Sequence, residues 1–224
     1  LVEAAKKHNR SLHDVRHPSR EFDVGNGINR SGKRLLTVGT DVSVGKMFTA
    51  LAVEQEMKKR GFDADFRATG QTGIFIAGSG VSIDAVVADF ISGAVEWLCP
   101  ENAENHWDIV EGQGSLFNVS YAGVTLGLIH GSQPDALVVC HEAGRPHMRS
   151  MPHFPLIDLP TCIDVNLQAA RLTNPDVRCV GAAINTSRLS EEEGRVFCDK
   201  ISQEIGLPAV DPLRDGVASL VDQI

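Results

Sequence analysis

The residues with the clearest chemical reach fall in one short stretch, Gly39-Thr40-Asp41-Val42-Ser43-Val44-Gly45-Lys46-Met47, directly behind an apolar run at 35–38. A strand that breaks at glycine and re-enters a helix at Gly-Lys is the arrangement of a phosphate-binding loop. The free N–H groups and partial positive charge of a helix's first turn attract an anion, glycine lets the backbone wrap it, and lysine adds a point charge. Gly39, Thr40, Asp41, Ser43, Val44, Gly45 and Lys46 are therefore the candidate phosphate ligands. The stretch departs from G-x-x-x-x-G-K-[ST] in two ways. The first glycine stands one residue early, and Met47 replaces the hydroxyl that ligates Mg²⁺. A thioether cannot stand in for a hard oxygen ligand. The expectation is a phosphate cradle without the usual metal seat and with no metal requirement. The competing reading is a glycine turn that binds nothing.

Further candidates follow other apolar runs. Glu111, in Val110-Glu111-Gly112-Gln113-Gly114, could act as a base, hold a cation or pair with Lys46, or be only a turn acid. His141, Glu142, Arg145, His147, Arg149 and His153 cluster after a later run; their spacing fits no metal-ligand pattern, and the arginines suit a carboxylate pocket that Arg67 could join. His130 closes a helical pattern and could be a base or a dipole partner. Asn185 carries a donor and an acceptor that match an adenine edge, or it caps the next helix.

Positioning these groups takes alternating strands and helices. Strands are expected at 34–38, 64–68, 107–110, 136–140, 179–184 and 208–210, and helices at 45–60, 82–98, 122–129, 162–171, 190–205 and 217–224. Near-continuous apolar strands between helices imply an α/β fold: three layers, with a mostly parallel central sheet covered by helices on both faces. Ligands then bind beyond the carboxyl ends of the strands. Residues 1–32 read as a lead-in, with a short helix at 1–8 and an edge strand at 12–16, and residues 33–224 as the phosphate-loop domain. The chain opens on Leu1, from which an upstream domain is expected.

The 224 residues carry a net charge of -8, which argues against nucleic-acid partners and anionic membranes but leaves room for a local basic pocket. No apolar run approaches membrane-spanning length. Five cysteines without a C-x-x-C motif suggest reduced, buried thiols and a cytoplasmic setting. The expected partners are small molecules, with a homo-oligomer as the expected assembly.

The loop together with 110–114 resembles dethiobiotin synthetase and its phosphate-loop relatives. The runs 37–46 (TVGTDVSVGK), 66–73 (FRATGQTG), 76–81 (IAGSGV), 110–115 (VEGQGS), 128–134 (LIHGSQP) and 185–187 resemble the DgcN-like family over nearly the whole chain. That resemblance implies N-acetylation of D-glutamate or D-glutamine by acetyl-CoA, in D-amino acid catabolism, and a Rossmann-like domain ahead of residue 33. On this reading the loop holds coenzyme A phosphates and Asn185 its adenine. Arg67, Arg145 or Arg149 meets the amino acid's carboxylates, and Glu111, Glu142, His130 or His141 takes the proton from its amine. The rival readings are an Mg-ATP-dependent ligase or kinase of the dethiobiotin synthetase type, and a nucleotide switch of the partition-ATPase type.

Overall fold

In a computed structural model, residues 1–18 and 20–224 are described. A six-stranded sheet has the order β2-β3-β1-β4-β7-β8, built from β1 (Lys33–Gly39), β2 (Ala64–Arg67), β3 (Trp107–Val110), β4 (Ala136–Glu142), β7 (Arg178–Asn185) and β8 (Ala209–Val210). Every pairing in it is parallel. Side chains alternate across a strand, so successive residues feed two cores. Leu36, Leu137 and Val139 pack with α4 (Ile91–Leu98), α5 (Ala122–Ser132), α6 (Leu159–Ala170) and α7 (Glu191–Ile205). Leu35, Val138 and Cys140 pack with α2 (Lys46–Lys59) and α8 (Ala218–Val221) on the opposite face. The expected three layers are therefore present, because strands buried on both faces need helices on both faces.

Several boundaries move for local reasons. α6 starts at Leu159 rather than Cys162, because the Asp158 carboxylate accepts the Thr161 N–H at 2.8 Å and Pro160 fits the first turn. α7 begins behind Ser190, whose hydroxyl forms a reciprocal capping box with Glu193. The expected helix at 82–98 is wrong in its first half. Val86 and Val87 are extended, leaving 3₁₀ turns at Ile83–Ala85 and Ala88–Phe90 ahead of α4. β-branched residues tolerate that extended backbone well. A short α3 (Gln71–Ala77) and a hairpin of β5 (His147–Met148) and β6 (Met151–Pro155) went unread; the hairpin turns at Ser150, which has φ +64°.

The expected helix near the start is α1 (Val2–Lys7), whereas residues 12–16 form no strand. The lead-in is not a free linker. Phe22 lies 5.7 Å from the Trp97 ring, and the Asn26 and Gly27 N–H groups donate to the Glu96 carboxylate on α4. Its packing onto the domain thus begins well before residue 33.

Candidate functional site

The loop between β1 and α2 is held by buried polar contacts. Ser115 Oγ donates to the Gly39 carbonyl at 2.8 Å, and the Thr40 N–H donates to the Cys140 carbonyl at 3.1 Å. Thr37 Oγ1 accepts the Gly112 N–H at 2.9 Å and donates to the Lys46 carbonyl, joining β1, α2 and the turn after β3. That closeness requires Gly112, since a Cβ there would lie 1.6 Å from the Thr37 carbonyl oxygen. Gly45 has φ +106°, a left-handed conformation that lets the chain turn into α2, and no side chain caps that helix. Its first turn borders an open cavity of about 750 Å³ lined by Ser43, Gly45, Lys46, Met47, Glu111, Tyr121, Arg149 and Asn185, among others.

Lys46 is the centre of the electrostatics. Its Nζ donates to the Asp41 carbonyl at 2.8 Å, and burial pushes its ammonium from 10.5 down to about 8. Glu111 is buried beside it. Its carboxylate accepts the Thr69 N–H at 2.9 Å, the Gly70 N–H at 3.1 Å and Gln113 Nε2 at 3.1 Å. Desolvation nevertheless outweighs these donors and raises the Glu111 carboxyl.

Some expected ligands serve instead as framework. Asp41 is fully buried and accepts from Asn118 Nδ2 at 2.9 Å, Arg145 at 2.8 Å and the Arg149 N–H at 2.6 Å. Burial alone would raise its carboxyl; those donors together hold it below the usual range. Asp41 therefore does not reach the cavity, nor do Gly39, Thr40 and Val44, whereas Ser43, Gly45, Lys46 and Asn185 do. Asn185 Oδ1 accepts the Ser187 N–H at 3.0 Å, an Asx turn that fixes its side chain at the rim.

The three candidate arginines part company. Arg67 donates to the buried Asp108 at 2.6 Å and lies outside the cavity. Arg145 spends its guanidinium on Asp41, the Val42 and Ser43 carbonyls and Glu142. Arg149 alone of the three faces the cavity, and its guanidinium donates no hydrogen bond among the described residues.

The four base candidates separate likewise. Glu142 is locked between Arg145 and Arg188; burial works against its charge, but the two arginines hold its carboxyl below the usual range. His141 stacks on Phe197, hydrogen-bonds Thr40 Oγ1 at 3.1 Å, and is pushed down to about 4 by burial and by Arg145. His130 has its Nε2 buried without a hydrogen-bond partner among the described residues and lies away from the cavity. Only Glu111 of the four lines it. Asp84 and Tyr121, for which the sequence suggested no site role, also stand in the wall; Asp84 is an exposed residue of the segment 82–98, read as one helix. The five cysteines are free thiols, four of them buried, and none lines the cavity.

Two curated relatives, each described as a D-glutamate N-acetyltransferase, are similar to this chain along its length. The protein from Pseudoalteromonas sp. is 59% identical over 221 residues, covering 99% of this chain and 67% of the relative. That from Tritonibacter scottomollicae is 52% identical, covering 100% and 67%. A crystal structure of a DUF1611 family protein from Anabaena variabilis superposes with a TM-score of 0.88 at 39% identity, covering 94% of this chain and 62% of that one. The chain thus spans about two thirds of the length of these relatives. The family described as a domain of unknown function (DUF1611_C), P-loop domain, matches residues 23–221, and the chain belongs to it.

Proposed function

We propose that this chain forms the coenzyme A-binding part of a D-glutamate N-acetyltransferase, acting in D-amino acid catabolism with acetyl-CoA as donor. The observation that carries the proposal is the uncapped amino end of α2, with the buried Lys46 beside it and a thioether at Met47 where a magnesium-binding hydroxyl would stand. This set of groups suits a phosphate that arrives without a metal. The first-turn N–H groups and Lys46 would hold the diphosphate of the donor, and Asn185 at the rim would meet its adenine. The donor supplies an activated acetyl thioester. The protein's part is to hold, orient and deprotonate.

The amine of D-glutamate must lose a proton before it can attack. We assign that role to Glu111, and two observations support it: it lines the cavity, and its raised affinity for protons makes it a better base than an exposed glutamate. Such help accelerates reactions by ~10²–10⁴-fold. Arg149 is the guanidinium left to meet an anionic group of either substrate. The five unpaired thiols support a reducing, cytoplasmic setting.

The test is a ligand-induced thermal shift with acetyl-CoA, coenzyme A and Mg-ATP, paired with an acetylation assay on D- and L-glutamate using full-length protein. Stabilisation of ~2.7 kcal/mol is expected at roughly 100 times the dissociation constant of a true ligand. A shift with Mg-ATP and none with either coenzyme A species would refute the proposal and favour a ligase or kinase.

A further inference from the structure

A second cavity, about 510 Å³, opens on the outer side of the phosphate loop and shares Ser43, Arg149 and Ser150 with the first. Its distinguishing walls are Arg145, His147, Arg188 and Glu142. Three guanidiniums against one carboxylate make a cationic recess in a chain of net charge -8. The guanidiniums are not equivalent. Arg145 is fully engaged by Asp41, Glu142 and two loop carbonyls. Arg188 gives only its Nε–H to Glu142 and leaves its two terminal nitrogens without a hydrogen-bond partner among the described residues; its side chain is 58% exposed. Glu142 thus aims the Arg188 fork and leaves its outer edge free for another acceptor.

The topology ties this fork to the first cavity. Glu142 ends β4 in register with Asn185 at the end of β7, and Arg188 follows Asn185 on the same turn. Asn185 and Arg188 therefore stand on one turn, the first lining one cavity and the second the other, so that a single adenosine could span them. We propose that the Arg188 recess binds the 3′-phosphate of coenzyme A, and so selects coenzyme A over nucleotides that lack that group. This rests on the coenzyme A reading above. The chemistry favours it: a phosphomonoester is a compact dianion, and a guanidinium fork is the side chain that grips it in bidentate fashion. His147 borders the same recess, but its Nδ1–H donates to the Met148 carbonyl, so Nε2 of the neutral ring is an acceptor and the recess relies on the arginine for its donors.

The experiment is calorimetric binding of coenzyme A and of dephospho-coenzyme A, which lacks the 3′-phosphate, to full-length wild type, Arg188→Gln and Arg188→Lys. Wild type should prefer coenzyme A by about tenfold or more, which corresponds to ~1.4 kcal/mol. Arg188→Gln should abolish that preference while leaving dephospho-coenzyme A affinity unchanged; Arg188→Lys should keep part of it. The unchanged affinity for dephospho-coenzyme A separates a lost contact from a damaged fold. If wild type binds both ligands equally, or if Arg188→Gln weakens both alike, the recess does not read the 3′-phosphate. A rise in the KM for D-glutamate in Arg188→Gln, with the coenzyme A preference intact, would reassign it to the amino acid carboxylate and overturn the proposal. If wild type binds neither ligand, the coenzyme A reading itself fails.

Discussion

Raising the pH should release the phosphorylated ligand through a single group, Lys46. Its ammonium is buried with one carbonyl partner and titrates at about 8, against 10.5 for a free lysine. A bound phosphate supplies the missing counter-charge and pulls that value back up. Above pH 8 the free protein must then take up a proton to bind, so affinity falls toward tenfold per pH unit. Between pH 7.0 and 9.5 the loss works out at about 30-fold. Acetyl-CoA is the suitable probe, because it has no titrating thiol and its phosphates are already ionised at neutral pH. The same shift acts on folding with the opposite sign. The folded lysine binds its proton less tightly than the unfolded one, so Lys46 costs stability below pH 8, and that cost fades as pH rises from about 8 to 10.5. The displacement corresponds to about 3 kcal/mol. Lys46→Met should therefore raise the melting temperature of the ligand-free protein at pH 7 while lowering acetyl-CoA affinity and removing its pH dependence. Calorimetry across the pH range, with melting curves of both proteins, checks this. An affinity that stays flat to pH 9.5 in wild type, or a Lys46→Met protein that binds normally, would refute the role given to Lys46.

Three further outcomes follow from the same geometry. Met47→Thr puts a hydroxyl back at the first turn of α2 and should confer a magnesium-dependent gain in ATP affinity, read by titration with and without the metal, with acetyl-CoA affinity kept within a few-fold. Asp41→Asn removes the buried partner of Arg145 and weakens the acceptor of the Arg149 N–H, and should cost about 3–5 kcal/mol in denaturant unfolding. Gly112→Ala drives a methyl into the Thr37 carbonyl and should cost about 3 kcal/mol or more, with loss of acetyl-CoA binding because β1, α2 and the β3 turn meet there.

The layers of the fold were legible because their signals are local and redundant. A strand such as β4, apolar almost throughout, can only be a buried parallel strand, and Ser190 with Glu193 announces the start of α7 by itself. The phosphate loop was legible for the same reason. What the chain order could not convey was which charged groups spend themselves on one another. Arg145 and Asp41 lie 104 positions apart, and Arg67 meets Asp108 across 41. Both arginines read as free cations until the fold pairs them. Arg188 is the reverse case. It stands in a turn beside Asn185 with nothing in its neighbours to mark it, and only the register of β4 against β7 brings it to the loop. Asp84 is exposed, as a solvent-facing position should be, but a helix over 82–98 gives no hint that it borders a cavity; the extended Val86-Val87 pair breaks that helix and leaves Asp84 in a 3₁₀ turn at the wall.

The ends of the helices show where this chain tolerates unfavourable local chemistry. α6 and α7 have their first turns satisfied by Asp158 and by the Ser190 capping box. α2 has no such side chain, and the position that would carry one is a glycine in a left-handed conformation. Leaving out a capping side chain where the cap position is glycine forgoes roughly a few tenths of a kcal/mol, and the same few atoms also bear a desolvated ammonium. Both deficits are electropositive, both face one cavity, and both vanish when an anion arrives. Neither nearby carboxylate bonds the ammonium: Asp41 is turned to Asn118, Arg145 and Arg149, and Glu111, although it lines the cavity, is engaged by Thr69, Gly70 and Gln113. A local rule broken twice at one point, with the available remedies held away by other bonds, is the pattern of a site kept ready for its ligand. It is also why affinity and stability at Lys46 must change in opposite directions.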